Sequence, residues 1–260
     1  MSETADIQAC ADIVRARDPA RFHGAMAAPP DMRGGLMVIY ALNAEVVRAA
    51  WAPQDPTLAE IRLQYWHDQI EAVFAGEATD AHPALRAMAR ADWRQWLAKA
   101  DLFGLIEARR RDAQRAPFAD TQALWAYLDA TGGGLMAMGS RILHMDDHYD
   151  TAIRRYGRAG ALAAYLAAVP ALKASGRQPL PDESPAAIAA LAQDALGYLD
   201  APRKYRLMAQ AGPAMLTASE ARPVLRQVLR QPGLVLSGGL ERSAFCKRLR
   251  ALACEVFHLW

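Results

Sequence analysis

The stretch Asp146, Asp147, His148, Tyr149, Asp150 sets two adjacent carboxylates ahead of a third. Hard oxygen ligands at that spacing could hold Mg²⁺. The same aspartates could instead form a solvated loop that caps the following helix. His144 and His148 could bind a softer metal, although a carboxylate-rich spacing does not select for imidazole. A second constellation is Glu60, Gln64, His67, Asp68 and Glu71, whose helical spacing places them on one continuous stripe. Such a stripe is either a solvent face or a cavity wall holding a ligand head group or a cation. Asn43 and Glu45 interrupt a strongly apolar run, and a buried acid there needs a partner, for which Arg62 or Arg48 is available.

Other groups have plainer readings. Thr131 to Gly134 is glycine-rich but lacks the strand and the lysine of a phosphate loop, so a helix kink is the simpler reading. Arg109, Arg110, Arg111 and Arg115 form a solvated face by default, or a contact for diphosphate or acidic lipid. Leu135, Met136 and Met138 read as core, since methionine is a soft packing group.

The elements that position these residues are helices. The 260 residues include 56 Ala and 29 Leu against 26 Val, Ile and Thr together. Strong helix formers therefore dominate and strand formers are scarce, which makes an all-α domain the expectation. With 30 basic and 28 acidic side chains the net charge is +2, which gives no nucleic-acid footprint. Cys10, Cys246 and Cys254 contain no C-x-x-C pair, so a disulfide framework or zinc site has little support. Glu3 and Asp6 precede any apolar run, unlike a signal peptide, and the uncharged run Ala159 to Leu172 is too short to span a bilayer. A soluble, cytoplasmic protein of a reducing compartment is expected.

Helices are expected over Thr4 to Arg17, Met32 to Trp51, Pro56 to Phe74, His82 to Lys99 and Phe103 to Arg115. Further ones run from Asp120 or Thr121 into Thr131, on through Leu143, and from the polar loop ending at Asp150 to near Lys173. Ala186 to Leu199, Pro202 to Gln210, Met215 to Arg230 and an amphipathic stretch ending at Trp260 complete the chain. Short breaks and no internal repeat favour one bundle over residues 1–260. The last helix sets Phe245, Leu249, Leu252, Val256, Leu259 and Trp260 on one stripe, for packing on the bundle or for membrane contact.

Several phrases occur in order: Asp18 to Phe22, Met26 to Pro29, Tyr40 to Glu45, Glu60 to Asp68, His82-Pro83, Leu105 to Asp112, Tyr127 to Leu135 and Gly176 to Pro181. Together they make the chain resemble the squalene/phytoene synthase family over roughly residues 10 to 235. The resemblance implies an all-α isoprenoid-synthase-like bundle. Active members of that family condense two prenyl diphosphates between two aspartate-rich motifs that hold Mg²⁺ on the leaving group. Counted from Tyr40, the positions of the first motif carry Val47, Arg48 and Trp51. Counted back from Gly176 and Arg177, those of the second carry Ala164, Ala167, Ala168, Ala171 and Leu172. Neither set offers a carboxylate.

The resemblance therefore points to a divergent branch, similar to the mitochondrial complex I assembly factor of this fold. It implies a non-catalytic member with no cofactor, partnered by respiratory-complex subunits and by an isoprenoid or lipid-like ligand, with peripheral contact to the inner membrane. A ligand cavity would be lined by Tyr40, Asn43, Glu45, Gln64, Gly132, Gly133 and Arg177. The alternative is an active head-to-head prenyl transferase using Mg²⁺ and displaced acids: Glu45, Glu60, Asp68 and Asp112. A lipid-binding module resting on the C-terminal helix and the arginine cluster is a third reading.

Overall fold

The computed structural model describes residues 3–77, 82–200 and 208–240, and among them no strand occurs. Two compact units are present: residues 1–115 with 138–146, and residues 116–137 with 147–260.

In the first unit the central element is α3 (Pro30–Trp51), which is buried on all sides from Gly35 to Val46. A helix apolar all round must be enclosed by others. α1 (Glu3–Arg17), α2 (Pro19–Ala27), α4 (Pro56–Ala75), α5 (Pro83–Arg90) and α6 (Lys99–Gln114) all pack against it. Start signals are explicit. Asp18 and Asp55 accept backbone N–H groups of Arg21 and Thr57, and Pro19 and Pro56 follow them at the first helical position. Gly76, at φ 82°, ends α4 in the left-handed conformation that glycine adopts without strain.

The expected helix from His82 to Lys99 is broken. Ala91 and Leu97 are extended and flank a 3₁₀ turn over Asp92–Trp96. Arg94 holds the break in place: its Nη1 donates to the carbonyls of Val73 (3.0 Å) and Ala89 (3.2 Å), and the former belongs to α4. A long-range side chain outweighs local propensity at that point.

In the second unit α7 (Thr121–Leu128) runs into a π-helical turn, Asp129–Gly133, continued by α8 (Gly134–Ile142), whose last residues belong to the first unit. The π turn packs on α9 (Asp150–Ala174), which also packs on α10 (Pro185–Tyr198) and on the helices Ala221–Arg230 and Leu234–Ser237. The expected helix Met215 to Arg230 is interrupted by a 3₁₀ turn, Leu216–Ala218. The expected helix Pro202 to Gln210 lies largely outside the described residues, and the C-terminal amphipathic stripe from Phe245 to Trp260 lies wholly outside them. No helix among the described residues is long and apolar enough to cross a membrane.

Candidate functional site

The site begins on the last two turns of α3, where Val47, Arg48 and Trp51 stand. Glu45, one turn before Arg48, is 3% exposed. Both of its oxygens are engaged. Arg48 donates Nε (2.9 Å) and Nη2 (2.5 Å) to Oε2, and Arg17 at the end of α1 places Nη1 3.2 Å from Oε1. Arg48 was legible as a partner; Arg17 was missed because it lies 28 residues away in sequence on another helix. Arg62, the other candidate, is exposed, and the partners of Glu45 are Arg48 and Arg17.

Trp51 faces α6. Its indole N–H donates to Asp112 Oδ2 at 3.1 Å, and Arg109 pairs with the same oxygen at 2.8 Å. Asp112 is 8% exposed, so these bonds satisfy a nearly buried carboxylate. Trp51→Phe should therefore lower stability by about 1.5 kcal/mol, the low end of what a hydrogen bond to a charged acceptor contributes, because the indole is partly exposed. Urea unfolding checks this, with Arg109 still available to the carboxylate.

The polar stripe of α4 is a seam against α6. Arg110 donates to Glu60 (2.5 Å), Gln64 (2.7 Å) and Glu107 (2.9 Å). Gln64 donates onward to Asp68 at 2.6 Å, Lys99 pairs with Glu71 at 2.5 Å, and the His67 ring stacks on Phe103 at 4.3 Å. Glu60, Asp68 and Asp112, the displaced acids of the transferase reading, are thus held by different partners. Among the described residues no group of three or more His, Cys, Asp or Glu is arranged to hold a metal ion.

Tyr40 is fully enclosed, with the Arg21 guanidinium 5.8 Å from its ring centroid, and burial pushes its hydroxyl up to about 12. Asn43 is buried, and its Oδ1 has no hydrogen-bond partner among the described residues. A cavity of about 200 Å³ in the first unit is lined by Asp31, Met32, Gly35, Asp92, Trp96, Ile142 and His144. None of Tyr40, Asn43, Glu45 or Gln64 lines it. Asp146 ends the first unit, Asp147 lies in a 3₁₀ turn of the second, and Asp150 opens α9 and pairs with Arg154 at 2.6 Å.

In the second unit Gly132 and Gly157 are packing devices. A Cβ on Gly132 would stand 2.4 Å from the Ala161 Cβ, and one on Gly157 would stand 2.7 Å from the Gly132 carbonyl oxygen. Arg177 lies after the end of α9, near the strap on which Tyr165 donates its hydroxyl to the Pro179 carbonyl at 2.8 Å. Ala164, Ala168 and Ala171 on α9 are exposed.

Mg²⁺ requires several hard oxygens. The α3 positions hold an aliphatic chain, a guanidinium and an indole, and the acids that touch them are engaged elsewhere: Glu45 by Arg48 and Arg17, and Asp112 by Trp51 and Arg109. These residues do not fit the metal.

Fold and site together define an all-α, isoprenoid-synthase-like protein whose metal-ligand positions carry other chemistry. The squalene/phytoene synthase family model matches residues 14–186, and the chain belongs to that family. It is similar to the Drosophila melanogaster homolog of NADH dehydrogenase (ubiquinone) complex I assembly factor 6, with 27% identity over 178 residues, 66% of this chain and 52% of that one. The Homo sapiens factor of that name is 22% identical over 162 residues, 62% of this chain and 48% of its own length. The chain thus spans about half the length of these curated relatives. Among solved structures, squalene synthase HpnC from Alicyclobacillus acidocaldarius superposes with TM-score 0.74 at 20% identity, over 88% of this chain and 95% of that one. A dehydrosqualene synthase in complex with ligand gives 0.79 at 13% identity, over 98% and 97%. At these identities the two structures share the fold.

Proposed function

We propose that this protein is a non-catalytic member of its family that assists assembly of respiratory complex I. The observation that carries the reading is chemical. Where Mg²⁺ would need carboxylates, Arg48 and Trp51 are committed to Glu45 and Asp112, and the curated relatives bear the name of an assembly factor. The reading includes respiratory-complex subunits as partners, peripheral contact with the membrane that houses them, and an isoprenoid or lipid-like ligand.

Deletion of the gene should lower NADH:ubiquinone oxidoreductase activity and leave partly assembled complex, with the cell's isoprenoid profile unchanged. Normal complex I activity in the deletion strain would overturn the proposal. The transferase reading predicts instead that the purified protein releases diphosphate from farnesyl or geranylgeranyl diphosphate in the presence of Mg²⁺, and that Asp68→Ala weakens the release. Turnover of that kind would replace the non-catalytic reading.

A further inference from the structure

The cavity of about 200 Å³ in the first unit has no part in the residues discussed so far. It opens where three segment ends meet: the first turn of α3 (Asp31, Met32), the 3₁₀ turn (Asp92, Trp96) and the residues that close α8 (Ile142, His144). The break at Asp92–Trp96, held in place by Arg94, brings an acid and an indole to the start of α3. His144 follows α8 at φ 58°, a conformation uncommon outside glycine. Its ring meets the Trp96 indole edge to face, with centroids 4.3 Å apart.

The lining carries two negative charges. Among the described residues neither Asp31 nor Asp92 has an ion-pair partner, and both are exposed. The basic side chains nearest to them in sequence are engaged elsewhere. Arg33 donates to the Ala28 carbonyl at 2.8 Å and Arg90 to Asp6 at 2.9 Å. Arg94 holds the Val73 and Ala89 carbonyls, and Arg141, beside His144, pairs with Asp101 at 2.7 Å. An acid in the first turn of a helix serves the helix dipole, and that accounts for each aspartate singly. It does not account for two of them opening onto one space beside an indole that is 37% exposed.

The chemistry of the walls selects the occupant. An anion is repelled, and a neutral apolar molecule would strip water from the carboxylates without replacing its hydrogen bonds. A metal ion needs ligands that converge on one point, and no such group of His, Cys, Asp or Glu occurs among the described residues. An organic cation spreads its contacts: its N–H groups donate to carboxylates, and an aromatic face attracts its charge. The space is smaller than the roughly 300–1,000 Å³ of sites for drug-sized molecules and has room for about seven waters, so the ligand or ligand end is small. We infer that Asp31, Asp92 and Trp96, with His144 buttressing the indole, form a binding site for an alkylammonium group. The ammonium belongs either to a free small amine or to a lysine side chain of a partner protein. The site shares no residue with the Glu45 and Asp112 clusters, so it stands or falls apart from the assembly and transferase readings.

The test is titration of the purified full chain with butylammonium chloride at low salt, read by nuclear magnetic resonance. Saturable binding with a Kd on the order of 1 mM is expected. The Trp96 indole N–H signal, identified by its loss in Trp96→Leu, should shift as the site fills. Asp31→Asn and Asp92→Asn should each weaken binding about fivefold, the upper scale of an exposed ion pair, and Trp96→Leu about threefold. All three positions are exposed, so each variant should keep the thermal transition of the native chain. Asp12→Asn, at an exposed acid of α1 outside the cavity, should bind as the native chain does. No saturable binding, a Trp96 signal unmoved at saturation, equal affinity for neutral 1-butanol, or equal affinity in Asp31→Asn, Asp92→Asn and the native chain would each overturn the site. Nα-acetyl-lysine methylamide supplies the second arm. Affinity at or above that of butylammonium supports the site with a lysine side chain as its occupant. Weaker affinity supports it with a free amine.

Discussion

Asp6→Asn should destabilise the protein by about 3 kcal/mol, because taking the charge off one partner of a buried ion pair removes the attraction that offsets its desolvation. Asp6 has no exposed surface and accepts from two arginines on α5, one of which, Arg86, is itself mostly enclosed. The substitution keeps the side-chain shape and removes the charge, so the loss reads electrostatics and hydrogen bonding rather than a cavity. The pH dependence gives a second readout. The hydrogen bond from Arg86, above all, lowers the Asp6 pKa from its ordinary 3.8, burial opposes it, and Arg90 adds to the lowering. A carboxylate whose folded pKa is depressed contributes stability that is fully present above the unfolded value. That contribution is lost as pH falls below about 3.8 and through the folded pKa. The native chain should therefore lose its advantage over Asp6→Asn in acid. Urea midpoints at neutral pH and at successively lower pH values check both claims. A constant gap between the two proteins would show that the pairing does not set it.

How much of this was legible in the sequence depends on the range over which each interaction acts. Helix starts were legible because Asp55 and Pro56, or Asp120 and Thr121, act within one turn. α3 was legible as a central helix because its apolar residues cover every face. The absence of carboxylates at Val47, Arg48 and Trp51 was legible because it needs only the register from Tyr40. The stripe on α4 was legible as a stripe, yet its role was not, because the groups that turn it into a seam, Arg110 and Lys99, belong to a helix reached only after the break at Asp92–Trp96. The Asp6 cluster was missed entirely. Its acid sits in the first turn of α1, where an aspartate ordinarily serves the helix dipole, and its arginines are 80 and 84 residues away. Nothing local distinguishes a buried acid of that kind from a solvated one.

Gly132 illustrates the same limit from the side of packing. In the sequence, Gly132 and Gly133 resemble a kink in a helix, and the π turn there agrees with a local irregularity. The structure adds a partner. α9 approaches so closely that a Cβ on Gly132 would meet the Ala161 Cβ at 2.4 Å and the Gly157 carbonyl oxygen at 2.9 Å. Neither neighbour is the far end of a flexible side chain, so relief requires the π turn and α9 to separate. Overpacking that backbone must absorb costs about 3 kcal/mol. Gly132→Ala should therefore lower stability by about that amount, even though alanine is the better helix former and would raise it by about 1 kcal/mol at an open helical position. The opposite sign is the test. Gly104→Ala is the control, since nothing lies within 4 Å of a Cβ there and α6 is helical at that point. Thermal unfolding should show Gly104→Ala at or above the native transition and Gly132→Ala well below it. Ala161→Gly, placed in the Gly132→Ala background, should recover part of the loss by removing the nearer of the two clashing atoms. Failure of that rescue would assign the cost to the Gly157 carbonyl instead, and so to the backbone of α9 itself.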